Sequence, residues 1–109
     1  MDFNTYQKKA RITAQYPNLG SNYTYPTLGL VGEAGEVAEK VKKVIRDKKG
    51  IFDDESKKGL KKELGDVLWY VSNLCTEFNF SLDDIALQNL EKLKLRASKG
   101  KISGSGDNR

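Results

Sequence analysis

The sequence predicts an all-α fold, a bundle of about four helices. Apolar residues recur at helical spacing through two long central segments. Segments rich in glycine and proline interrupt these stretches, and acids or hydroxyl residues stand where new helices would begin. With 109 residues, 31% charged and 38% hydrophobic, the chain has the size and composition of one globular domain.

The first predicted helix covers residues 3–16, which contain few helix breakers. A loop is expected next, because Pro17, Gly20 and Pro26 follow closely on one another. The second helix is expected from Thr27 to about Lys48. Its apolar face would consist of Leu30, Ala34, Val37, Val41, Val44 and Ile45.

Gly50 should end the second helix, and Asp53 and Asp54 should cap the third. The third helix is expected from about Glu55 to Glu77. Its buried face would consist of Leu60, Leu64, Val67, Leu68, Val71, Leu74 and Cys75.

Ser81 and Asp84 have the spacing of an N-terminal capping box, with aspartate in place of glutamate. They predict a fourth helix that ends at about Ala97. The expected domain therefore covers residues 1–97, and the Gly/Ser-rich residues 98–109 are expected to be a disordered tail.

The composition excludes several kinds of site. One cysteine permits no intrachain disulfide, and the absence of histidine excludes a His-based zinc site or catalytic triad, so any metal should be bound by oxygen. No apolar run is long enough to span a membrane and no secretory signal is recognisable, so a cytoplasmic location without a membrane partner is expected. The net charge of +4 is interpreted as solvated charge, and no specific nucleic-acid binding is expected.

Acid pairs three residues apart are common in a chain with 15 acids, but two of them occupy matching places in a repeat. The pattern Leu-x-x-Glu-x-Gly-acid-Val begins at Leu30 and again at Leu60. It places Glu33 and Glu36 on the second helix, and Glu63 and Asp66 on the third.

In both helices the paired acids lie on the same flank of the apolar stripe. A short connection makes the two helices antiparallel, and an approximate two-fold axis between them then brings the four carboxylates to one side. Glu39 falls on the outward side and is interpreted as solvated.

Four converging carboxylates repel one another and need a compensating cation, for which Mg²⁺, or Mn²⁺ as a substitute, is the best match to oxygen ligands. The alternative is that the acids form ordinary surface salt bridges with lysines such as Lys40, Lys61 and Lys62. Gly35 and Gly65 favour the metal site, because glycine within a helix is costly and indicates close approach of a backbone or ligand.

On the fourth helix, Asn89, Lys92 and Arg96 share one face, which could bind phosphates or could simply be solvated. Trp69 and Tyr70 follow the acids on the third helix. They could belong to the core, to an oligomer interface or to a base-stacking surface, and the first two are favoured.

The segments GEAGEVAEKVKK, KKELGDVLWYVSNL and NLEKLKLR resemble successive motifs of the MazG-like nucleotide pyrophosphohydrolases, over roughly residues 27–97. The resemblance implies that Glu33, Glu36, Glu63 and Asp66 bind Mg²⁺ and form the catalytic cluster. It also implies that Asn89, Lys92 and Arg96 contact the triphosphate of the substrate.

The resemblance implies hydrolysis of nucleoside triphosphates to a monophosphate and pyrophosphate by a homodimer or homotetramer. The small size resembles compact members, including phage-encoded ones, which act in the host cytoplasm. Gly32 stands where many members have a further glutamate, which leaves the number of metal ions and the catalytic base open. Two alternatives remain: a sibling enzyme acting on phosphoribosyl-ATP, a deoxyuridine nucleotide or a guanosine alarmone, and a non-catalytic helical interaction module.

Overall fold

Four α-helices make up the regular structure of the computed structural model, which describes residues 1–100 and 104–107. The helices are α1 (Phe3–Ile12), α2 (Thr24–Lys48), α3 (Asp54–Glu77) and α4 (Leu82–Ser98). No strand occurs among the described residues, and the all-α prediction is confirmed. Of the tail expected to be disordered, residues 101–103 and 108–109 lie outside the described residues, whereas Ser98 is the last residue of α4.

The first helix ends at Ile12, earlier than the sequence predicts, because tertiary contacts hold the following residues outside the helix. Thr13 is the C-cap and its hydroxyl donates a hydrogen bond to the carbonyl of Ala10 at 2.6 Å. Ala14 and Tyr16, on the segment that leaves the helix, are both buried. Burial of these side chains outweighs the weak intrinsic preference of a short helix to continue.

The second helix begins three residues before the predicted start, at Thr24. The N-cap residue Tyr23 makes no capping hydrogen bond with its side chain, but the side-chain oxygen of Asn22, one residue earlier, accepts a hydrogen bond from the backbone N–H of Tyr25 at 3.0 Å. Pro26 therefore lies in the first turn of the helix, where its missing N–H costs nothing, and it is almost fully buried.

The predicted caps at the other helix ends are confirmed. Lys49 and Gly50 both have positive φ angles, 56° and 77°, and end α2 in the left-handed conformation. The Asp53 carboxylate accepts a hydrogen bond from the N–H of Ser56 at 2.7 Å, and the Ser81 hydroxyl accepts one from the N–H of Asp84 at 3.2 Å.

Helices α2 and α3 form an antiparallel hairpin, which is the main packing unit of the chain. Late residues of α2 contact early residues of α3: the Lys48 ammonium donates a hydrogen bond to the Ser56 hydroxyl, and the side chain of Lys40 lies against Gly59. Helix α1 packs on α3, and α4 packs mainly on α1, without extensive contact with α2.

The hairpin hides less apolar surface than the sequence predicts. Val44 and Cys75 are buried as expected, but Ile45 is 63% exposed and Leu64 is 51% exposed. The radius of gyration is 16.7 Å, whereas about 13 Å is expected for a compact chain of this length. The described helices therefore leave apolar faces uncovered, above all on α4, where Leu90 is 64% exposed. None of them is long and apolar enough to cross a lipid bilayer.

Candidate functional site

Three of the four predicted carboxylates converge between the central helices. Glu33 of α2 meets Glu63 and Asp66 of α3, and one oxygen from each lies within 4.8 Å of the other two. Glu33 and Glu63 are partly buried, whereas Asp66 is exposed. The antiparallel hairpin produces this arrangement, because it turns the acid flank of one helix towards that of the other.

Glu36 is not a member of this group of three. Glu36 lies one turn after Glu33 on α2 and is exposed to solvent. The structure thus separates the four predicted residues into three converging acids, which we call the acid cluster, and one neighbour. Burial, together with the negative charges of Asp66, Glu63 and Glu36, raises the pKa of Glu33.

The acid cluster fits a hard divalent cation by the chemistry of its ligand atoms. All three groups offer carboxylate oxygens, and a cation would relieve the repulsion that raises the pKa of Glu33. Oxygen-only ligand sets suit Mg²⁺ or Mn²⁺ better than softer metals. Glu39, which the sequence analysis interprets as solvated, is not part of the cluster and forms an ion pair with Lys42 at 2.8 Å.

An aromatic cavity of about 320 Å³ opens beside the acid cluster. Glu33 and Asp66 line it together with Trp69, Tyr70 and Thr13. The two aromatic rings meet edge to face at 5.0 Å, and the indole N–H of Trp69 donates a hydrogen bond to the Thr13 hydroxyl at 2.8 Å. Neither aromatic residue is fully buried, and both line the cavity beside the acids.

Thr13 had no sequence signal for a place in this cavity. It stands 53 positions before Asp66 and outside every motif, at the end of a short helix. Only the packing of α1 on α3 brings it to the site.

The alternative that the predicted acids form salt bridges with lysines is observed for one of them, Glu63. The Lys40 ammonium lies 3.9 Å from an oxygen of Glu63, and Lys40 is exposed whereas Glu63 is partly buried. Lys61 and Lys62, the other lysines considered as partners, form no ion pair with any described residue. Glu33 and Asp66 likewise have no basic partner among residues 1–100 and 104–107, so a lysine pairs with only one of the three acids of the cluster.

The three residues predicted on α4 lie apart from the acid cluster. Asn89 and Lys92 line a separate hollow with Ile85 and Gln88. Arg96 is 5% exposed, and its guanidinium donates a hydrogen bond to the carboxylate of Asp107 at 3.0 Å.

The same Asp107 carboxylate also accepts from the Lys92 ammonium at 3.1 Å. Lys92 and Arg96 thus bind the same anionic group, the carboxylate of Asp107.

A buried network around Glu77 fixes α1 and the loop after it onto α3. The Glu77 side chain is 1% exposed and forms an ion pair with Arg11 at 2.8 Å. It also accepts hydrogen bonds from the Tyr16 hydroxyl and from the backbone N–H groups of Gly20 and Asn22. Burial by itself raises the pKa of Glu77, but these donors outweigh it and lower the pKa to about 2.

Gly35 and Gly65 were predicted to permit close approach of a neighbouring backbone or a ligand, and no backbone of the described residues approaches either of them. A Cβ atom at either position would meet no atom within 4 Å. Gly29 is the helical glycine that permits a close contact, because the Tyr70 ring lies against it.

Comparison with known proteins agrees with the motifs that form this site. The model of the MazG nucleotide pyrophosphohydrolase domain matches residues 23–100, which include α2, α3 and α4. The chain is also similar to the Gene 37 protein of Mycobacterium phage L5, with 46% identity over an alignment that covers 100% of both sequences. No solved structure matches.

Proposed function

Because this chain belongs to the MazG nucleotide pyrophosphohydrolase family, we propose that it hydrolyses nucleoside triphosphates, in a Mg²⁺-dependent reaction, to a monophosphate and pyrophosphate. Deoxynucleotides are included among the substrates. The family assignment supports nucleotide pyrophosphohydrolysis in general. The triphosphate, the products and the metal are our more specific proposal.

The observation that carries the proposal is the position of the acid cluster beside an aromatic cavity. Glu33 and Asp66 share that cavity with Trp69 and Tyr70. A nucleotide needs both environments, since ring surface stacks on a base and a cation held by carboxylates neutralises phosphate charge. A purely structural ion site would need no aromatic surface next to it.

In the proposed reaction, a water oxygen forms a bond to the α-phosphorus while the bond from that phosphorus to the bridging oxygen of the β-phosphate breaks. Pyrophosphate leaves with the bridging oxygen and its electron pair, and the water gives up one proton. Bound Mg²⁺ supplies positive charge that polarises the phosphate oxygens. Glu33, Glu63 and Asp66 would hold the cation through their carboxylate oxygens.

A carboxylate must accept the proton from the attacking water. Glu36 is suited to this role because it stands next to the acid cluster without belonging to the converging group. The carboxylates within the group are committed to the cation. We therefore propose Glu36 as the proton acceptor, and Asn89, Lys92 and Arg96 as contacts to phosphate.

We further propose that the chain acts as a homodimer or homotetramer. The support is its uncovered apolar surface, which includes Leu28 and Val31 on α2 at 67% and 68% exposure and Leu90 on α4 at 64%. Apolar faces of this extent are typical of interfaces. Assembly could also bring the α4 residues of one copy close to the acid cluster of another.

Two alternatives use the same fold. A sibling enzyme would act on phosphoribosyl-ATP, a deoxyuridine nucleotide or a guanosine alarmone, each of which also presents phosphate to a metal. A non-catalytic interaction module would use the acids for a structural cation or a basic partner. The aromatic cavity beside the acids favours a nucleotide ligand over the second of these.

The test is pyrophosphate release from a panel of ribonucleoside and deoxynucleoside triphosphates, measured with Mg²⁺, with Mn²⁺ and with a chelator. The panel should include the three sibling substrates. We expect metal-dependent release from triphosphates. If only a sibling substrate is hydrolysed, the chain is the sibling enzyme and the proposal is wrong. If folded protein hydrolyses no nucleotide, the non-catalytic interaction module is the remaining alternative.

A further inference from the structure

We propose that Lys40, with the neighbouring lysines Lys58 and Lys62, forms the subsite for the leaving pyrophosphate, the β- and γ-phosphates of the substrate. This inference rests on the proposed function and assigns residues to a part of the site that the acids and the aromatic cavity leave open. It concerns a second cavity that reaches the acid cluster at Glu63.

The second cavity has a volume of about 680 Å³ and lies between α2 and α3, towards their connecting turn. The three lysines line it, together with Gly59 and Glu63. A further hollow of about 300 Å³ continues it along the hairpin, and Lys40 and Gly59 border both. We call this continuous space the lysine groove.

The acid cluster stands between the lysine groove and the aromatic cavity. Glu63 borders the groove, whereas Glu33 and Asp66 border the aromatic cavity. Along α3, the groove residues precede Glu63, and Trp69 and Tyr70 follow Asp66. A nucleotide with its α-phosphate at the acids could therefore place its base in one cavity and its terminal phosphates in the other.

Lys40 is the lysine that connects the groove to the acids. Its side chain lies across Gly59, where a Cβ atom would be 3.6 Å from the ammonium nitrogen. The ammonium then lies 3.9 Å from Glu63 Oε1. At this distance the ammonium can compensate the charge of Glu63 while no divalent cation is bound. Once a divalent cation neutralises that carboxylate, the ammonium can bind a phosphate instead.

The charges along the groove leave cations available for a ligand. Lys43, Lys58 and Lys62 form no ion pair with any residue of 1–100 or 104–107. The acids at the outer end, Asp54 and Glu55, belong to the first turn of α3, where the positive end of the helix dipole stabilises them.

Among the residues that the structure describes, Lys40 of the lysine groove is the one cation that forms an ion pair with an acid of the cluster. The α4 residues Asn89 and Lys92 line a hollow that shares no residue with the groove, and Arg96 bonds to Asp107. Pyrophosphate gains charge when the bond between the α- and β-phosphates breaks. Lysine, a mobile point charge, can follow such a group as it leaves.

The experiment is calorimetric titration of the full-length protein with inorganic pyrophosphate at saturating Mg²⁺, comparing wild type, Lys40→Gln, Lys40→Arg and Lys42→Gln. Lys42 is the matched control, because it loses the same charge but pairs outward with Glu39. We expect Lys40→Gln to weaken pyrophosphate binding about tenfold or more, as for a lost charged hydrogen bond. Lys40→Arg and Lys42→Gln should stay within about twofold of wild type.

A second titration, with Mg²⁺ alone, separates a ligand-binding role from a structural one. Removal of a positive charge beside Glu63 should leave Mg²⁺ affinity equal to that of wild type or raise it, by up to about fivefold. A Lys40→Gln protein that binds Mg²⁺ more weakly would show that Lys40 supports the cluster structurally and would overturn the proposal. Equal pyrophosphate affinity in Lys40→Gln and wild type would also overturn it.

The two proposals fail in distinguishable ways. If wild type binds pyrophosphate in a Lys40-dependent manner but hydrolyses no nucleotide, the lysine groove is a pyrophosphate-binding site and the proposed activity is wrong. If wild type releases pyrophosphate from nucleotides while Lys40→Gln has the same product affinity, the activity stands and the subsite is wrong.

Discussion

The ring of Tyr70 lies directly against Gly29, so closely that a Cβ atom at position 29 would overlap it. This contact joins the start of α2 to α3 next to the acid cluster. Tyr70 lines the aromatic cavity with Glu33 and Asp66, and burial, followed by the charges of Tyr25 and Glu33, raises the pKa of its hydroxyl. The glycine therefore fixes the position of a ring at the site.

Gly29→Ala should destabilise the protein by about 1 to 3 kcal/mol, the usual cost of overpacking a fitted contact. Gly35→Ala and Gly65→Ala are matched controls, since a Cβ at either place meets no atom of the described chain within 4 Å. Each control should be neutral or stabilising by up to about 1 kcal/mol, because alanine favours the helix. Urea denaturation followed by circular dichroism measures all three, and equal stability of Gly29→Ala and wild type would contradict the contact.

Metal affinity should depend more on Asp66 than on Glu36, because Asp66 belongs to the converging group and Glu36 does not. Asp66→Asn should weaken Mg²⁺ or Mn²⁺ binding about tenfold or more, since even the loss of an outer partner of a metal ligand has that effect. Glu36→Gln should weaken binding less while abolishing most turnover. Calorimetry and pyrophosphate release test this pair of variants, and the reverse order of metal affinities would refute the assignment.

Lys92→Ala should lower kcat/KM by about ten- to a hundredfold if the α4 cations contact phosphate, since a charged hydrogen bond would be lost. Arg96→Ala should have a similar effect, but its side chain is 5% exposed, so its folding needs a separate check by circular dichroism. Asp107→Asn is the control, because it removes the carboxylate that both cations bind. It should cause no loss of kcat/KM. Wild-type kinetics in both cation variants would exclude α4 from the site.

Glu77 should make the free energy of unfolding depend on pH in the acidic range. Its pKa in the folded state is lowered from 4.5 to about 2, so it stabilises the fold above pH 4.5. That stability is lost as the pH falls from 4.5 towards 2. This stabilisation is about 3 kcal/mol, and Glu77→Gln should lose it at neutral pH. Urea denaturation of wild type and Glu77→Gln at several pH values measures their free energies of unfolding. The difference between the two free energies should become smaller below pH 4.5, and a difference that does not change with pH would contradict the prediction.

Self-association should be detectable in solution. Light scattering at micromolar concentration should give at least twice the chain mass of 12.2 kDa, because the uncovered apolar faces favour burial between copies. Dilution should shift the mass downwards if the assembly is reversible. A monomer with full turnover across the concentration range would show that the exposed leucines of α4 serve another purpose.

The sequence by itself determined the helices and the acids that face one another. Apolar spacing and caps at Gly50, Asp53 and Ser81 fixed the boundaries to within a few residues, because these signals act locally along the chain. The repeat that begins at Leu30 and Leu60 also gave the converging flanks, since a short connection requires two helices to run antiparallel.

The tertiary structure alone decided which residues accompany those acids. Glu36 falls outside the group, Thr13 reaches the aromatic cavity, and Lys40 crosses Gly59 to approach Glu63. It also placed the close contact within the chain at Gly29, where the ring of Tyr70 lies, rather than at Gly35 or Gly65. These relationships depend on the rotation and spacing of helices that are distant in sequence. Periodicity gives the face of each helix, but only packing gives the partner that meets it.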